Sequence, residues 1–224
     1  MNKNQELLYV INHYKVLDKL LLKKRLEISN IINNVIKNQT IYDALDIGTT
    51  SDIGNASSNT VIENIKNIKK FKCISNQEIT SNFFDIKLKK SIVSDLSEDE
   101  FHHFSSDLVI SNATIEHVGG FLQQKKMIEN VIKLTKKVFI ITTPNRFHPI
   151  ELHTKIPFIH WFPKPIYRKI LKFIGLSFYA NEKNLNLLDV SEIKEMLKDE
   201  KITYELKFIK LLFFKSNIII IGKK

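Results

Sequence analysis

The stretch Tyr42-Asp43-Ala44-Leu45-Asp46-Ile47-Gly48-Thr49-Thr50 constrains this chain more than any other. It reads as a buried strand that ends in an acidic residue and turns at a glycine. Apolar runs of the same kind recur at Phe71 to Ser75, at Leu108-Val109-Ile110 and at Val138 to Thr142. Helical spacing fills the intervals. Residues 14–37 place Leu17, Leu20, Leu21, Ile28, Ile31, Ile32 and Val35 on one face, and Lys19, Lys23, Lys24 and Glu27 on the other. Residues 121–136 point Leu122, Met127, Val131, Ile132 and Leu134 inward. A short helix near 60–69, a third strand at Ile92-Val93 and a helix capped by Ser191 continue the alternation. Residues 202–210 and 215–222 then form an antiparallel hairpin. Strands alternating with helices imply an α/β fold: a Rossmann-like, mostly parallel sheet with an antiparallel last strand and helices on both faces.

A length of 224 residues fits one such domain, 1–224, with an N-terminal helical segment at 1–40. The segment 144–188 carries prolines 149, 157, 163 and 165 among aromatics, and reads as a packed insertion roofing a pocket. The single cysteine, Cys73, leaves no intrachain disulfide or cysteine-rich zinc site, and fits a reducing cytoplasm. No secretory signal is expected, and the C-terminal apolar run is broken by Lys215 into pieces too short to cross a bilayer. The formal charge of +10 is spread along the chain, which disfavours nucleic acid as a partner. The basic, aromatic stretch Lys164 to Lys172 fits either peripheral contact with a membrane or a lid helix.

In an open parallel sheet, ligands bind outside the carboxyl ends of the strands. Leu45-Asp46-Ile47-Gly48 lies at such an end. Gly48 would admit a ligand close to the backbone, and Asp46 would fix the turn and attract a cationic group. An ordinary strand-to-loop turn is the plain alternative. A dinucleotide site would show G-x-G-x-x-G, whereas this chain has Gly48 and then no glycine until Gly54. S-Adenosyl-L-methionine has no phosphate and does not need that cradle. Gln77 or Glu78 after the second strand could take the ribose hydroxyls, and Asp95 with the Leu96 backbone could take adenine. Each could equally be a turn residue. His117 could orient the cofactor or act as a base, or form a structural pair with Glu116.

Three elements carry a resemblance: Asp46-Ile-Gly-Thr-Thr50, Ile115-Glu-His-Val118 and Thr143-Pro-Asn-Arg146. With Pro149-Ile-Glu-Leu-His-Thr154, Pro157-Phe-Ile-His-Trp161 and Asn184-Leu-Asn-Leu-Leu-Asp189, they make residues 40–200 similar to a bacterial subgroup of the class I S-adenosylmethionine-dependent methyltransferases. The resemblance implies a seven-stranded sheet and S-adenosyl-L-methionine as cofactor. It places Asp46, Gly48 and Thr49 at the methionine part, Asp95 and Leu96 at adenine, and Asn112 at the reacting centre. Two departures stand out. Thr49, Thr50 and Ser51 replace glycines frequent in the first loop, and strand 2 lacks a carboxylate directly at its end.

The insertion supplies the acceptor-facing residues Asn145, Arg146, His148, Glu151, His153, His160 and Trp161. His153 with Glu151 forms a candidate base. Arg146 could hold an anionic acceptor or tie the insertion to the sheet. Glu151, His148 and His153 do not have diagnostic metal spacing, so no metal is assigned. The resemblance points to O-methylation of a small anionic or sugar-type acceptor in surface-polysaccharide (capsule) biosynthesis, for instance a phosphate-bearing glycan precursor. A lipid-linked or quinone-like acceptor, or a noncatalytic partner subunit with this fold, are the alternatives. Ser111-Asn-Ala-Thr114 lacks the Asn/Asp-Pro-Pro-Tyr element expected of a nucleic-acid methyltransferase.

Overall fold

The computed structural model describes residues 15–51, 59–211 and 213–224, so Gly54 and the whole segment before α1 lie outside the described residues. The chain runs α1 (Lys15–Ile36), β1 (Asp43–Ile47), α2 (Thr60–Glu63), β2 (Lys70–Ser75), β3 (Ile86–Lys89), α3 (Glu98–Phe104) and β4 (Ser106–Asn112). A 3-10 turn (Ile115–His117), α4 (Phe121–Leu134) and β5 (Thr135–Pro144) follow. After a second 3-10 turn (Ile159–Trp161) come α5 (Lys164–Phe173), α6 (Val190–Leu197), β6 (Thr203–Leu211) and β7 (Phe214–Lys223). The seven strands form one sheet in the order β3-β2-β1-β4-β5-β7-β6. Strands β1 to β5 pair in parallel, and β7 runs against both β5 and β6.

Alternation along β1 explains its burial at all five positions. Ala44 faces Ile28 and Ile32 of α1, in the layer that also holds Leu108 and Ile110. Leu45 and Ile47 face Met127, Ile128 and Val131 of α4. Each aliphatic side chain buried this way contributes about 1.5–3 kcal/mol.

The strand starts are fixed by charge. Lys72 Nζ lies 2.8 Å from Asp43 Oδ2 and donates to the Ser105 carbonyl, while Asp43 Oδ1 accepts the Asp107 N–H. Burial works against an ionised Asp43, but the Lys72 hydrogen bond, the Asp107 N–H and the Lys72 charge outweigh it and hold the carboxyl below its usual range. Removing one member would strand a buried charge at a cost of about 3–5 kcal/mol. Register set at this edge decides which residues emerge at the carboxyl ends.

Several elements differ from the sequence expectation. The third strand is Ile86–Lys89, and Ile92-Val93 lie in the turn after it, with Ile92 packed into the core. Leu122 is exposed on α4, whose inner face holds the expected Met127, Val131, Ile132 and Leu134, with Ile128 added. The short helix stops at Glu63. Asp189, not Ser191, caps α6, closing a capping box with Glu192.

The insertion has a small core of its own, built on Tyr167, Leu171, Ala180, Leu185 and Leu187. Bridges at Asn145–Leu188 and Ile150–Pro157 close its base. Among the described residues, no helix is long and apolar enough to cross a membrane.

Candidate active site

Strand order reverses between β1 and β4, since β1 leads outward to β2 and β4 to β5. The crevice at their carboxyl ends is the switch point where such sheets take ligands. A cavity of about 230 Å³ opens there, with Gly48, Thr49, Gln77, Ile92, Thr114 and His117 in its wall. That size approaches the lower range of small-molecule sites, roughly 300 Å³.

Gly48 sits at φ +88°, and a Cβ on it would lie 2.2 Å from Thr114 Oγ1. The glycine is thus demanded by the loop after β4, which packs onto the turn, and not by a ligand alone. Ala113, at a left-handed φ of 52°, swings Thr114 into that place, and its N–H is held by the Thr142 carbonyl at 3.0 Å. Such a conformation costs on the order of 1–3 kcal/mol and persists only where the surroundings impose it.

Asp46 is buried beneath the turn and accepts a 2.5 Å hydrogen bond from the Thr49 hydroxyl. Burial pushes its carboxyl up to about 6; the Thr49 bond works against this and the Glu63 charge adds to it. Three described backbone donors of the turn are already engaged. Gly48 N–H bonds the Ile74 carbonyl at 2.9 Å, Thr50 N–H bonds Asn59 Oδ1 at 3.2 Å, and Ser51 N–H bonds Gln77 Oε1 at 3.1 Å. These three N–H groups are therefore not free to cradle a pyrophosphate.

The remaining cofactor candidates separate. Gln77 stays on the wall, tied to Ser51. Glu78 points outward and pairs with Lys89 at 3.2 Å. Asp95 is exposed and pairs with Lys126 at 3.1 Å, while Leu96 is packed in the core. Neither residue is on the cavity wall; Lys90, Ser91 and Ile92 occupy that side. Asn112 ends β4 just behind the wall, its Oδ1 accepting from Thr142 Oγ1 at 2.7 Å.

From the cavity wall His117 meets His153, rings edge to face with centroids 4.9 Å apart. His153 Nδ1 lies 2.7 Å from Glu151 Oε1. Burial opposes charging this imidazole, but the Glu151 charge and hydrogen bond, with Glu116 nearby, outweigh it and raise its pKa. Burial also opposes an ionised Glu151; the His153 charge and the His153 and Thr154 N–H groups overcome it and bring its carboxyl down to about 2.

Arg146 stands apart from this pair. It donates to the His160 and Phe162 carbonyls at 3.3 and 2.9 Å and approaches Asp189, so its planar fork ties the insertion to the sheet. His148 lies between the Ile150 and Leu211 carbonyls, away from His153. His160 Nε2 donates to the His148 carbonyl, and burial lowers its pKa. Glu116, which sequence reasoning passed over except as a partner of His117, is fully buried and shares the site. The signal was present in the Glu-His pair itself; what hid it was the burial, supplied by Thr143 and the insertion.

The architecture has many relatives among solved structures. The plantazolicin methyltransferase BpumL, in complex with S-adenosyl-L-homocysteine, matches with a TM-score of 0.58 at 12% identity, over 92% of this chain and 86% of that one. The fold is that of the class I methyltransferases. The magnesium protoporphyrin IX methyltransferase of Synechocystis PCC 6803, with bound S-adenosyl-L-homocysteine, matches this methyltransferase fold with a TM-score of 0.56 at 11% identity, over 90% and 83% of the two chains. The N-methyltransferase NodS of Bradyrhizobium japonicum WM9, with the same ligand, gives 0.51 at 10% identity, over 92% and 86%. No protein-family model matches the sequence, and no curated protein matches it either.

Proposed function

We propose that this protein is an S-adenosyl-L-methionine-dependent methyltransferase whose cofactor lies in the cavity between the ends of β1 and β4. The observation that carries the reading is the first loop: Gly48, Thr50 and Ser51 N–H groups are spent inside the protein, while a buried carboxylate, Asp46, waits beneath them. That suits a cationic, phosphate-free nucleoside and disfavours a dinucleotide. The three neighbours crystallised with S-adenosyl-L-homocysteine support the same choice. Thr49 and Gly48 would border the methionine part, Gln77 the ribose and Ile92 the adenine, all on the cavity wall.

Methyl transfer needs little from the protein beyond position and a dry pocket. An acceptor lone pair forms a bond to the methyl carbon as the carbon–sulfur bond breaks, and the sulfonium leaves as a neutral thioether. For a hydroxyl acceptor a proton must also depart. Activation of that hydroxyl falls to Nε2 of His153, whose ring Glu151 orients through Nδ1. His117 faces the same space.

The acceptor is a small molecule with an oxygen nucleophile. A sugar-type acceptor in surface-polysaccharide biosynthesis draws its support from the sequence resemblance. A lipid-linked acceptor draws support from the insertion, where Phe158, Trp161, Phe162, Ile166 and Phe173 are exposed beside Lys169 and Lys172. A lipid-linked glycan precursor satisfies both. Since Arg146 is committed to carbonyls, a free anion loses its expected holder.

Isothermal calorimetry tests the cofactor assignment. S-Adenosyl-L-homocysteine should bind and NADH should not; the reverse result would end the reading. Formation of S-adenosylhomocysteine with nucleotide sugars, and with lipid-linked sugars in vesicles, separates the acceptor classes. Cofactor binding without turnover on any acceptor would favour the noncatalytic subunit.

A further inference from the structure

We propose that Glu116, His117 and His153 bind one divalent transition-metal ion at the acceptor end of the cavity. One ligand atom from each of the three lies within 4.8 Å of the others, the one such group among the described residues. Three features turn this cluster into a site.

First, Glu116 Oε1 is fully buried and has no hydrogen-bond partner. Its other oxygen accepts from Thr143 Oγ1 at 3.1 Å, which aims the carboxylate. Buried carboxylate oxygens are almost always satisfied, so the orphan needs an explanation. His153 Nε2, at 3.9 Å, is too far to donate to it. Two ligands of one tetrahedral ion with bonds of about 2.1 Å sit roughly 3.4 Å apart, so the Glu116–His153 pair at 3.9 Å is already close to that spacing.

Second, both histidines have the tautomer a metal requires. His117 Nδ1 lies 2.6 Å from the Asn184 carbonyl, which can only accept. His153 Nδ1 lies 2.7 Å from the Glu151 carboxylate. Each Nδ1 therefore carries the proton, and in the neutral ring each Nε2 keeps a lone pair. Ligating histidines characteristically hand their other N–H to a carboxylate or a backbone carbonyl.

Third, the supports are fixed. Glu151 is held by the His153 and Thr154 N–H groups, and the Glu116 carbonyl accepts the Asn186 N–H at 2.7 Å.

Two imidazoles and one carboxylate suit zinc, manganese, cobalt or iron in the divalent state and leave coordination positions open. His117 is on the cavity wall, so those positions adjoin the cofactor. What the ion does there rests on the methyltransferase reading. An acceptor hydroxyl bound to it would lose its proton to solvent. The oxygen lone pair would then take the methyl carbon as the carbon–sulfur bond breaks. With the ion bound, His153 Nε2 would serve as a ligand, and the ion would take over the activating role that the metal-free protein leaves to that nitrogen.

The test uses the tag-free full chain, stripped with a chelator and titrated with zinc against a chromophoric competitor, then with cobalt while visible absorption is followed. One ion per chain is expected, with cobalt d–d bands. Glu116→Gln, His117→Ala and His153→Ala should each weaken binding at least about tenfold, and Glu151→Gln by about 10–100-fold. His102→Ala, on the distant helix α3, should change nothing, and circular dichroism checks that each variant folds. Sub-stoichiometric binding, or binding that survives His117→Ala and His153→Ala together, would overturn the proposal. S-Adenosyl-L-homocysteine affinity is measured on the same samples. Cofactor without metal removes the metal site and keeps the methyltransferase; metal without cofactor does the opposite.

Discussion

The strand-end half of the site and the insertion hold their functional groups by different means. At β1 and β4 the positions follow from sheet register and a buried ion pair, and residues from neighbouring strand ends close over one another: Thr49 on Asp46, Ser75 on Thr49, Thr114 on Gly48. The insertion has only a small apolar core, and its order comes from side chains bonded to backbone carbonyls of its own loops, with one tie from outside it. Arg146 reaches His160 and Phe162, His160 and Trp161 reach His148, and His117 reaches Asn184. The first half is a rigid seat that tolerates little change. The second is a set of ties that can be re-cut, which is where acceptor choice belongs.

The contrast breaks first at Gly48. Gly48→Ala combines an unfavourable φ with a Cβ driven onto Thr114, and should cost about 3–5 kcal/mol. Denaturant unfolding would reveal it; an unchanged midpoint would mean the seat is soft.

Asp46 gives the next largest effect, with the opposite sign. Its folded pKa of about 6 lies above the ordinary 3.8, so folding takes up a proton between those values. The wild-type protein gains stability from this group as pH falls through 6, and that contribution is complete below 3.8 and lost again as pH rises. Asp46→Asn should therefore stabilise the ligand-free protein by up to about 3 kcal/mol at pH 7.5, with the difference closing near pH 4. The same variant should bind S-adenosyl-L-methionine more weakly than wild type. Equal stability at both pH values would remove the buried charge from the account.

Arg146→Ala should cost about 2 kcal/mol and speed proteolysis within 145–189, leaving S-adenosyl-L-homocysteine affinity within twofold. Loss of cofactor affinity would mean the two halves are not separable. Smallest of all, Asp95→Ala should change stability by less than about 0.5 kcal/mol and leave cofactor affinity unchanged, because its carboxylate is exposed. A tenfold loss of affinity would return Asp95 to the adenine pocket.

The same division governs what could be read from the sequence. Leu108 to Ile110 and Val138 to Ile141 are continuous apolar runs, and Ala44, Leu45 and Ile47 are broken only by Asp46, because both faces of the sheet are covered, so they announce themselves. Ile86–Lys89 does not: at the sheet edge, two apolar residues alternate with lysines and resemble surface. A strand at Ile92-Val93 would carry Asp95 to the carboxyl end of the sheet, whereas a strand at Ile86–Lys89 puts Lys90 on the cavity wall. Glu116 was equally hidden. Its burial depends on Thr143 and on the returning insertion, and no local pattern encodes either.

The central claim is the location of the cofactor. A crystal of the full chain grown with S-adenosyl-L-homocysteine should place its amino-acid part against Gly48 and Thr49 and its thioether toward His117, with the adenine beside Ile92. Density for the compound anywhere else, or a cavity filled by the protein's own side chains under saturating ligand, would contradict the account.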